Sequence, residues 1–202
     1  MIAVIDYGMG NLFNIHNGLI KVGAKAEIST DPSMLSGYEG IVIPGVGSFG
    51  EAMQNLKPFV PTILDLVSKG VPLLGICLGM QVLFEDSEEG GEKGLSLIDG
   101  GVKRLRADVR IPHMGWNSIN IRKSTDLLNG IENDTFFFFA HSYFCKPRED
   151  VVVATVEYGE DVPVMVSKDN VYGVQFHPEK SGERGLKVLE NWVEICKRST
   201  KE

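Results

Sequence analysis

The sequence predicts a mixed α/β fold, a mostly parallel sheet flanked by helices with a strand-rich excursion in the second half. Two patterns carry that reading. In the first half, short apolar runs alternate with stretches of helical periodicity, as in parallel strands joined by crossover helices. In the second half, apolar segments follow one another with only turns between them, adding strands without helices.

Residues 2–6 open as a strand, and 11–22 form a helix with Leu12, Ile15, Leu19 and Val22 on one stripe. Gly23 caps its end. Strands follow at 26–29 and 41–44, then a helix over about 58–68 ended by Gly70, a strand at 71–76 and a helix at 78–84. The acidic segment 85–92 reads as a solvated loop. Beyond it, strands are expected at 102–105, 117–122, 135–144, 151–157, 163–167 and 171–175, with a hairpin turn at 168–170. The run Phe136, Phe137, Phe138, Phe139 is apolar on both faces, as a strand covered on both sides requires. A helix opened by Ser181, with Leu186, Leu189, Val193 and Cys196 on one side, closes the chain. No repeat or linker interrupts it, so one domain over 1–202 is expected.

A chain of 202 residues buries an adequate core without metals or disulfides. Its net charge of −7 argues against nucleic acid and anionic membrane surfaces, leaving small molecules and proteins as partners. Glycine is abundant, 23 residues, which signals tight turns and close backbone approaches. The three cysteines, Cys77, Cys145 and Cys196, are widely spaced and suggest neither a disulfide framework nor a zinc site. The apolar opening at 1–5 lacks a basic region and is stopped by Asp6, and no run reaches 18 apolar residues, so a cytoplasmic protein is expected.

Two glycine patterns invite a dinucleotide reading and fail it. Gly8 and Gly10 lie in the first βα turn, but Phe13 stands where the third glycine belongs. The run Gly45, Val46, Gly47, Ser48, Phe49, Gly50 matches the spacing yet follows a later strand, and its acidic residue, Asp65, falls inside a helix. A glycine-rich turn with no ligand is the plain alternative, and a site where exposed N–H groups hold an anion or oxyanion is a third reading.

The sharper feature is Gly75, Ile76, Cys77, Leu78, Gly79, where a buried strand turns into a helix. It is a nucleophile elbow with cysteine in place of serine, so the sulfur projects above the sheet and the Leu78 N–H points at the same space. The helix start favours the thiolate. Cys145 and Cys196, in a strand and on an apolar helix stripe, read as small buried hydrophobes.

Four histidines are available as its base. His16 reads as surface, His113 as loop and His141 as a satisfied core residue. His177 ends a strand before Pro178, which keeps the segment extended and puts Glu179 on the same side as the imidazole. Cys77, His177 and Glu179 together form a nucleophile, base and orienting carboxylate.

These residues resemble the triad (class I) glutamine amidotransferases, and within them most closely the glutaminase subunits of imidazole glycerol phosphate synthases. The resemblance runs over nearly the whole chain: 6–12 (DYGMGNL), 44–47 (PGVG), 75–81 (GICLGMQ), 112–117 (PHMGWN), 141–143 (HSY) and 173–181 (GVQFHPEKS). It implies a flavodoxin-like sheet and hydrolysis of glutamine to glutamate and ammonia, with no cofactor. It assigns the oxyanion to the N–H groups of Leu78 and Val46, and glutamine binding to the Gly47 backbone, Gln81, Glu89 and the backbone of Ser142 and Tyr143. The implied partner is a (β/α)8-barrel cyclase subunit of a heterodimer in histidine biosynthesis, with Trp116 and Lys180 as contacts that transmit docking. A turn of the Gly45–Val46 peptide is the expected switch. A glutaminase serving another synthase and a cysteine hydrolase of γ-glutamyl substrates remain alternatives.

Overall fold

The computed structural model describes residues 1–106 and 108–199. In its first half come β1 (Ile2–Ile5), α1 (Leu12–Lys21), β2 (Ala26–Ser29), β3 (Gly40–Ile43), α2 (Phe49–Leu56), α3 (Val60–Ser68), β4 (Leu73–Ile76) and the single turn α4 (Leu78–Gln81). The second half adds β5 (Asp86–Ser87), β6 (Gly100–Arg104), β7 (His113–Ser118), β8 (Asn120–Ile121), β9 (Phe136–His141), β10 (Tyr143–Pro147), β11 (Val152–Glu157), β12 (Asp161–Lys168), β13 (Val171–Val174) and α5 (Gly182–Ser199).

The principal sheet has eight strands in the order β2-β1-β3-β4-β13-β12-β11-β8. From β2 to β13 neighbours pair parallel, and β12, β11 and β8 extend the sheet antiparallel. This is the expected mostly parallel sheet with its strand-rich excursion. Side chains of β1 alternate between two cores, because successive residues of a strand face opposite sides. Ile2 and Val4 pack with Ile15 and Leu19 of α1 and Leu189 and Trp192 of α5. Ala3 and Ile5 pack with Phe49 and Leu56 of α2 and Ile63 and Leu66 of α3. Both faces of the sheet are thus covered, and the short buried strands read as continuous apolar runs.

Several expectations need correction. Helix α2 was not anticipated: Phe49, Ala52, Met53 and Leu56 recur at helical spacing and are buried, but the preceding glycine run masks the start. The helix expected at 78–84 is only one turn, so the macrodipole gives little to Cys77. The acidic segment 85–92 is mostly exposed and irregular, as expected, but it is anchored at several points. Glu85 accepts from the Gly100 N–H at 2.9 Å and pairs with Arg148, Glu88 accepts from the Arg104 N–H at 3.0 Å, and β5 pairs with β6. These carboxylates bond backbone N–H groups that would otherwise stay unpaired. His113 begins β7 instead of lying in a loop, and His16 is half-buried with Nε2 3.0 Å from the Ala26 carbonyl oxygen.

The phenylalanine strand is covered on one face only. Phe137 and Phe139 are fully buried, whereas Phe136 is 56% exposed and Phe138 half-buried. Its partner β7 repeats the asymmetry with Met114 and Trp116 outward, at 67% and 55% exposure. In register, Met114, Trp116 and Ser118 face Ala140, Phe138 and Phe136, so the two strands present one exposed apolar face.

Candidate active site

The elbow is built by contacts that admit no side chain on either side of Cys77. A Cβ on Gly75 would lie 2.2 Å from the Gly79 carbonyl oxygen, and one on Gly79 would lie 1.9 Å from that of Ile43. The turn therefore seats itself against β3 and β4, and Cys77 between them adopts φ 56°, a conformation L-residues rarely take. Holding a non-glycine residue there fixes the direction of its sulfur.

His177 arrives from the next strand of the sheet. Its N–H donates to the Phe138 carbonyl at 2.9 Å, and the Ser181 hydroxyl donates to the His177 carbonyl at 2.6 Å while accepting from the Phe138 N–H at 3.0 Å. His177 itself is extended, but Pro178–Lys180 form a 3-10 turn. Glu179 thus reaches the imidazole by a turn and not by strand alternation. The outcome matches the expected pairing: His177 Nδ1 lies 2.9 Å from Glu179 Oε1, with side-chain exposures of 3% and 0%. Glu179 Oε2 is buried without a hydrogen-bond partner among the described residues, so its charge is answered by the imidazole.

Burial alone would lower the His177 pKa. Hydrogen bonds to the Cys77 sulfur and Glu179, with the charges on both, outweigh it and raise the value to about 9. These neighbours favour the protonated imidazole, which lies between a sulfur and a carboxylate.

A cavity of about 270 Å³ opens above Cys77. Val46, Gly47, Leu78, Gln81, Glu89, Ser142 and Tyr143 all line it, so the structure brings together every predicted oxyanion and substrate residue. The Tyr7 hydroxyl donates to the Pro44 carbonyl at 2.6 Å and ties down the 44–47 loop. Glu89 Oε2 accepts from the Phe49 N–H at 2.7 Å at the start of α2, leaving its other oxygen for a ligand. Both N–H donors of Gln81 are engaged, by the Tyr143 carbonyl and by Gln175 Oε1, each at 3.1 Å, so its carbonyl oxygen remains to bind. Trp116 and Lys180 stand outside this cavity, on the exposed face of β7 and β9, with Lys180 Nζ 5.9 Å above the Phe138 ring.

With this geometry in place, the sequence profile of the family described as "Glutamine amidotransferase class-I" matches residues 3–196. The chain belongs to the class I glutamine amidotransferases. It is 48% identical over 202 residues to "Imidazole glycerol phosphate synthase subunit HisH" of Moorella thermoacetica, covering 98% of this chain and 96% of that one. The protein of the same name from Methanocaldococcus jannaschii is 48% identical over 196 residues, 96% of this chain and 100% of the relative. Among solved structures, a putative GMP synthase protein from Thermoplasma acidophilum superposes with a TM-score of 0.78 at 21% identity. The match covers 99% of this chain and 95% of that one, a likeness of fold. No helix among the described residues is long and apolar enough to cross a membrane.

Two residues of this amidotransferase's site escaped the sequence reading. Gln175, fully buried, places Nε2 3.6 Å from the Cys77 sulfur. It stands two residues before His177, and that alternation was the available signal. The second is His113, whose Nδ1 is 3.0 Å from His141 Nε2, while His141 Nδ1 is 2.8 Å from the Tyr143 carbonyl. Because a carbonyl only accepts, His141 carries a proton on Nδ1, and with both rings neutral His113 donates from its Nδ1 to His141 Nε2. Desolvation by burial lowers His113 to about 4 and His141 to about 3.

That pair has a measurable consequence. Between pH 6.5 and about 4 the unfolded chain binds protons at these positions that the folded chain refuses, so stability falls as pH falls through that window. His141→Asn, which loses one titrating group and keeps a donor toward Tyr143, is expected to show a shallower fall in denaturation midpoint. Equal slopes in the two proteins would remove the pair from the account.

Proposed function

We propose that this chain is the glutaminase subunit of an imidazole glycerol phosphate synthase, a single domain over 1–202. It hydrolyses glutamine and passes ammonia to a separate (β/α)8-barrel cyclase subunit for histidine biosynthesis. The observation that carries the reading is end-to-end likeness, at 48% identity, to relatives bearing that name. Supporting it is a buried thiol, imidazole and carboxylate beneath a cavity of amino-acid dimensions. We assign it to the cytoplasm, where three unpaired thiols, one of them the nucleophile, stay reduced.

In the reaction, the Cys77 thiolate attacks the side-chain amide carbon of glutamine, and the carbonyl electrons move to oxygen. The N–H groups of Leu78 and Val46 receive that oxyanion, each donor typically worth roughly 3 kcal/mol. His177 gives its proton to the departing nitrogen, releasing ammonia and leaving a thioester. Water, deprotonated by the now neutral His177, then releases glutamate and restores the thiolate. Glu179 holds the ring and balances its charge throughout. The Gly47 backbone, Gln81, Glu89 and the backbone at Ser142 and Tyr143 hold the substrate.

The exposed apolar face of β7 and β9 is where the barrel docks. Trp116 and Phe138 meet edge to face at 6.2 Å, with Lys180 over the latter ring, and Met114 reaches from this face into the cavity wall. Docking then bears on the oxyanion loop. Gly45 is a glycine because a Cβ there would lie 2.8 Å from both the Leu78 Cβ and the Tyr7 hydroxyl. The switch lies in the Gly45–Val46 peptide, the plane that carries the Val46 N–H, and Gly47 follows it in the left-handed region at φ 114°.

The test is steady-state glutamine hydrolysis by the chain alone, with the cyclase subunit, and with that subunit plus its nucleotide ligand. Completing the oxyanion site with one donor predicts stimulation on the order of 10²–10³-fold in turnover. A turnover number constant across the three conditions overturns the docking switch.

A further inference from the structure

The side chain of Gln175 is a buried polar group beside the nucleophile that no part of the reaction above uses. It is 0% exposed, and a buried amide persists only when its donors and acceptors are met. Its surroundings settle which way it points. The Tyr143 carbonyl only accepts, so Gln81 must turn its NH₂ toward Tyr143, at 3.1 Å. The second hydrogen of that NH₂ meets Gln175 3.1 Å away, which must therefore present its oxygen. The Gln175 NH₂ is left facing the Cys77 sulfur at 3.6 Å. The reverse orientation would set NH₂ against NH₂ at one end and oxygen against a thiolate at the other.

We propose that Gln175 is a further catalytic residue: its side-chain amide donates a hydrogen bond to the Cys77 sulfur, stabilising and aiming the thiolate, and Gln81 keeps it in that orientation. The proposal rests on Cys77 being the nucleophile and extends that assignment. Two residues two apart in one strand extension then act on the sulfur, Gln175 by its amide at 3.6 Å and His177 by the charge of its imidazole. A hydrogen bond to a thiolate lowers its intrinsic nucleophilicity with a Brønsted slope of about 0.4–0.5, a loss outweighed wherever the thiol would otherwise keep its proton. Fixing the sulfur on two sides also limits its rotation, which favours a single direction of attack. The same chain of amides assigns Gln81 a second task besides contact with the substrate, since its NH₂ is the group that denies Gln175 the wrong orientation.

The experiment compares wild type, Gln175→Met and Gln175→Glu, each in complex with the cyclase subunit. The methionine variant keeps volume and removes the donor. The glutamate variant keeps the acceptor for Gln81 and puts a carboxylate oxygen where the donor was. Wild-type labelling by a glutamine-like electrophile first fixes Cys77 as the nucleophile. Iodoacetamide alkylation of Cys77 is then followed against pH by mass spectrometry. The profile is expected to move upward by about one pH unit in Gln175→Met and further in Gln175→Glu, with kcat/KM for glutamine down about 10–100-fold. Ammonia-dependent synthesis by the complex stays at the wild-type level, which shows that the variants are folded and assembled. A Gln175→Met or Gln175→Glu profile that coincides with wild type overturns the proposal whatever the turnover, because a merely structural role would lower the rate without moving the profile. Labelling elsewhere than Cys77 would instead remove the assignment on which it rests.

Discussion

Cys77→Ala is expected to abolish glutamine-dependent synthesis, by on the order of 10⁴-fold or more in turnover, while the complex with the cyclase subunit continues to use added ammonia. Alanine tolerates the positive φ at this position about as poorly as cysteine does, so the substitution adds no new backbone cost and the elbow stays seated between Gly75 and Gly79. What it removes is, among the described residues, the one thiol beside a catalytic base. Cys145, in β10, is completely buried, and Cys196 lies on the inner side of α5 at 1% exposure. Desolvation pushes both thiols up, away from the thiolate. A glutamine-like electrophile should therefore label Cys77 alone, read by peptide mass. Labelling at Cys145 or Cys196 with Cys77 untouched would refute the assignment.

The selectivity of that thiol was legible in the sequence because the elbow is a local device. Two glycines around Cys77 state their own reason, contact with the Gly79 and Ile43 carbonyls, and a strand–turn–helix pattern gives the sulfur its direction. His177 and Glu179 were legible for the same reason, being two residues apart, although the chain joins them through a 3-10 turn that Pro178 permits and alternation does not describe. The parallel half of the sheet was legible because its strands are apolar runs bounded by turns. What resisted was non-local. Helix α2 hides behind a glycine run whose loop conformation is set by Tyr7 and Leu78, far away in the chain. Phe136 and Phe138 look like core, but alternation puts them on the face opposite the buried Phe137 and Phe139, and that face is left largely uncovered. Gln175 bonds Gln81 and Cys77 across 94 and 98 residues, and His113 bonds His141 across 28. Alternation puts Gln175 on the His177 side of its strand, but the partners themselves have no sequence period and the fold alone assembles the pairs.

Glu179→Gln is the complementary case, expected to lower the glutaminase turnover number roughly 10³–10⁴-fold with little change in KM. The amide offers His177 two orientations, and both fail. With its oxygen toward Nδ1 it keeps the tautomer but no longer answers the imidazolium charge. With its NH₂ toward Nδ1 it forces the proton to Nε2 and leaves the ring unable to take one from the sulfur. No neighbour rescues either state, since Glu179 Oε2 already lacks a hydrogen-bond partner among the described residues. The acidic segment supplies the controls. Glu88 is half exposed and engages Lys103 and the Arg104 N–H, so Glu88→Gln should leave turnover within about twofold, as expected for a surface pair. Glu89→Gln can still offer an oxygen to the Phe49 N–H and so keep the start of α2, which confines its effect to the oxygen facing the cavity. Its KM for glutamine should rise about tenfold with turnover nearly unchanged. Steady-state kinetics of the three variants in complex with the cyclase separate these roles: equal losses of turnover in Glu179→Gln and Glu88→Gln would sink the proposed triad. A turnover defect in Glu89→Gln without a KM change would take the carboxylate out of substrate binding and into the chemistry.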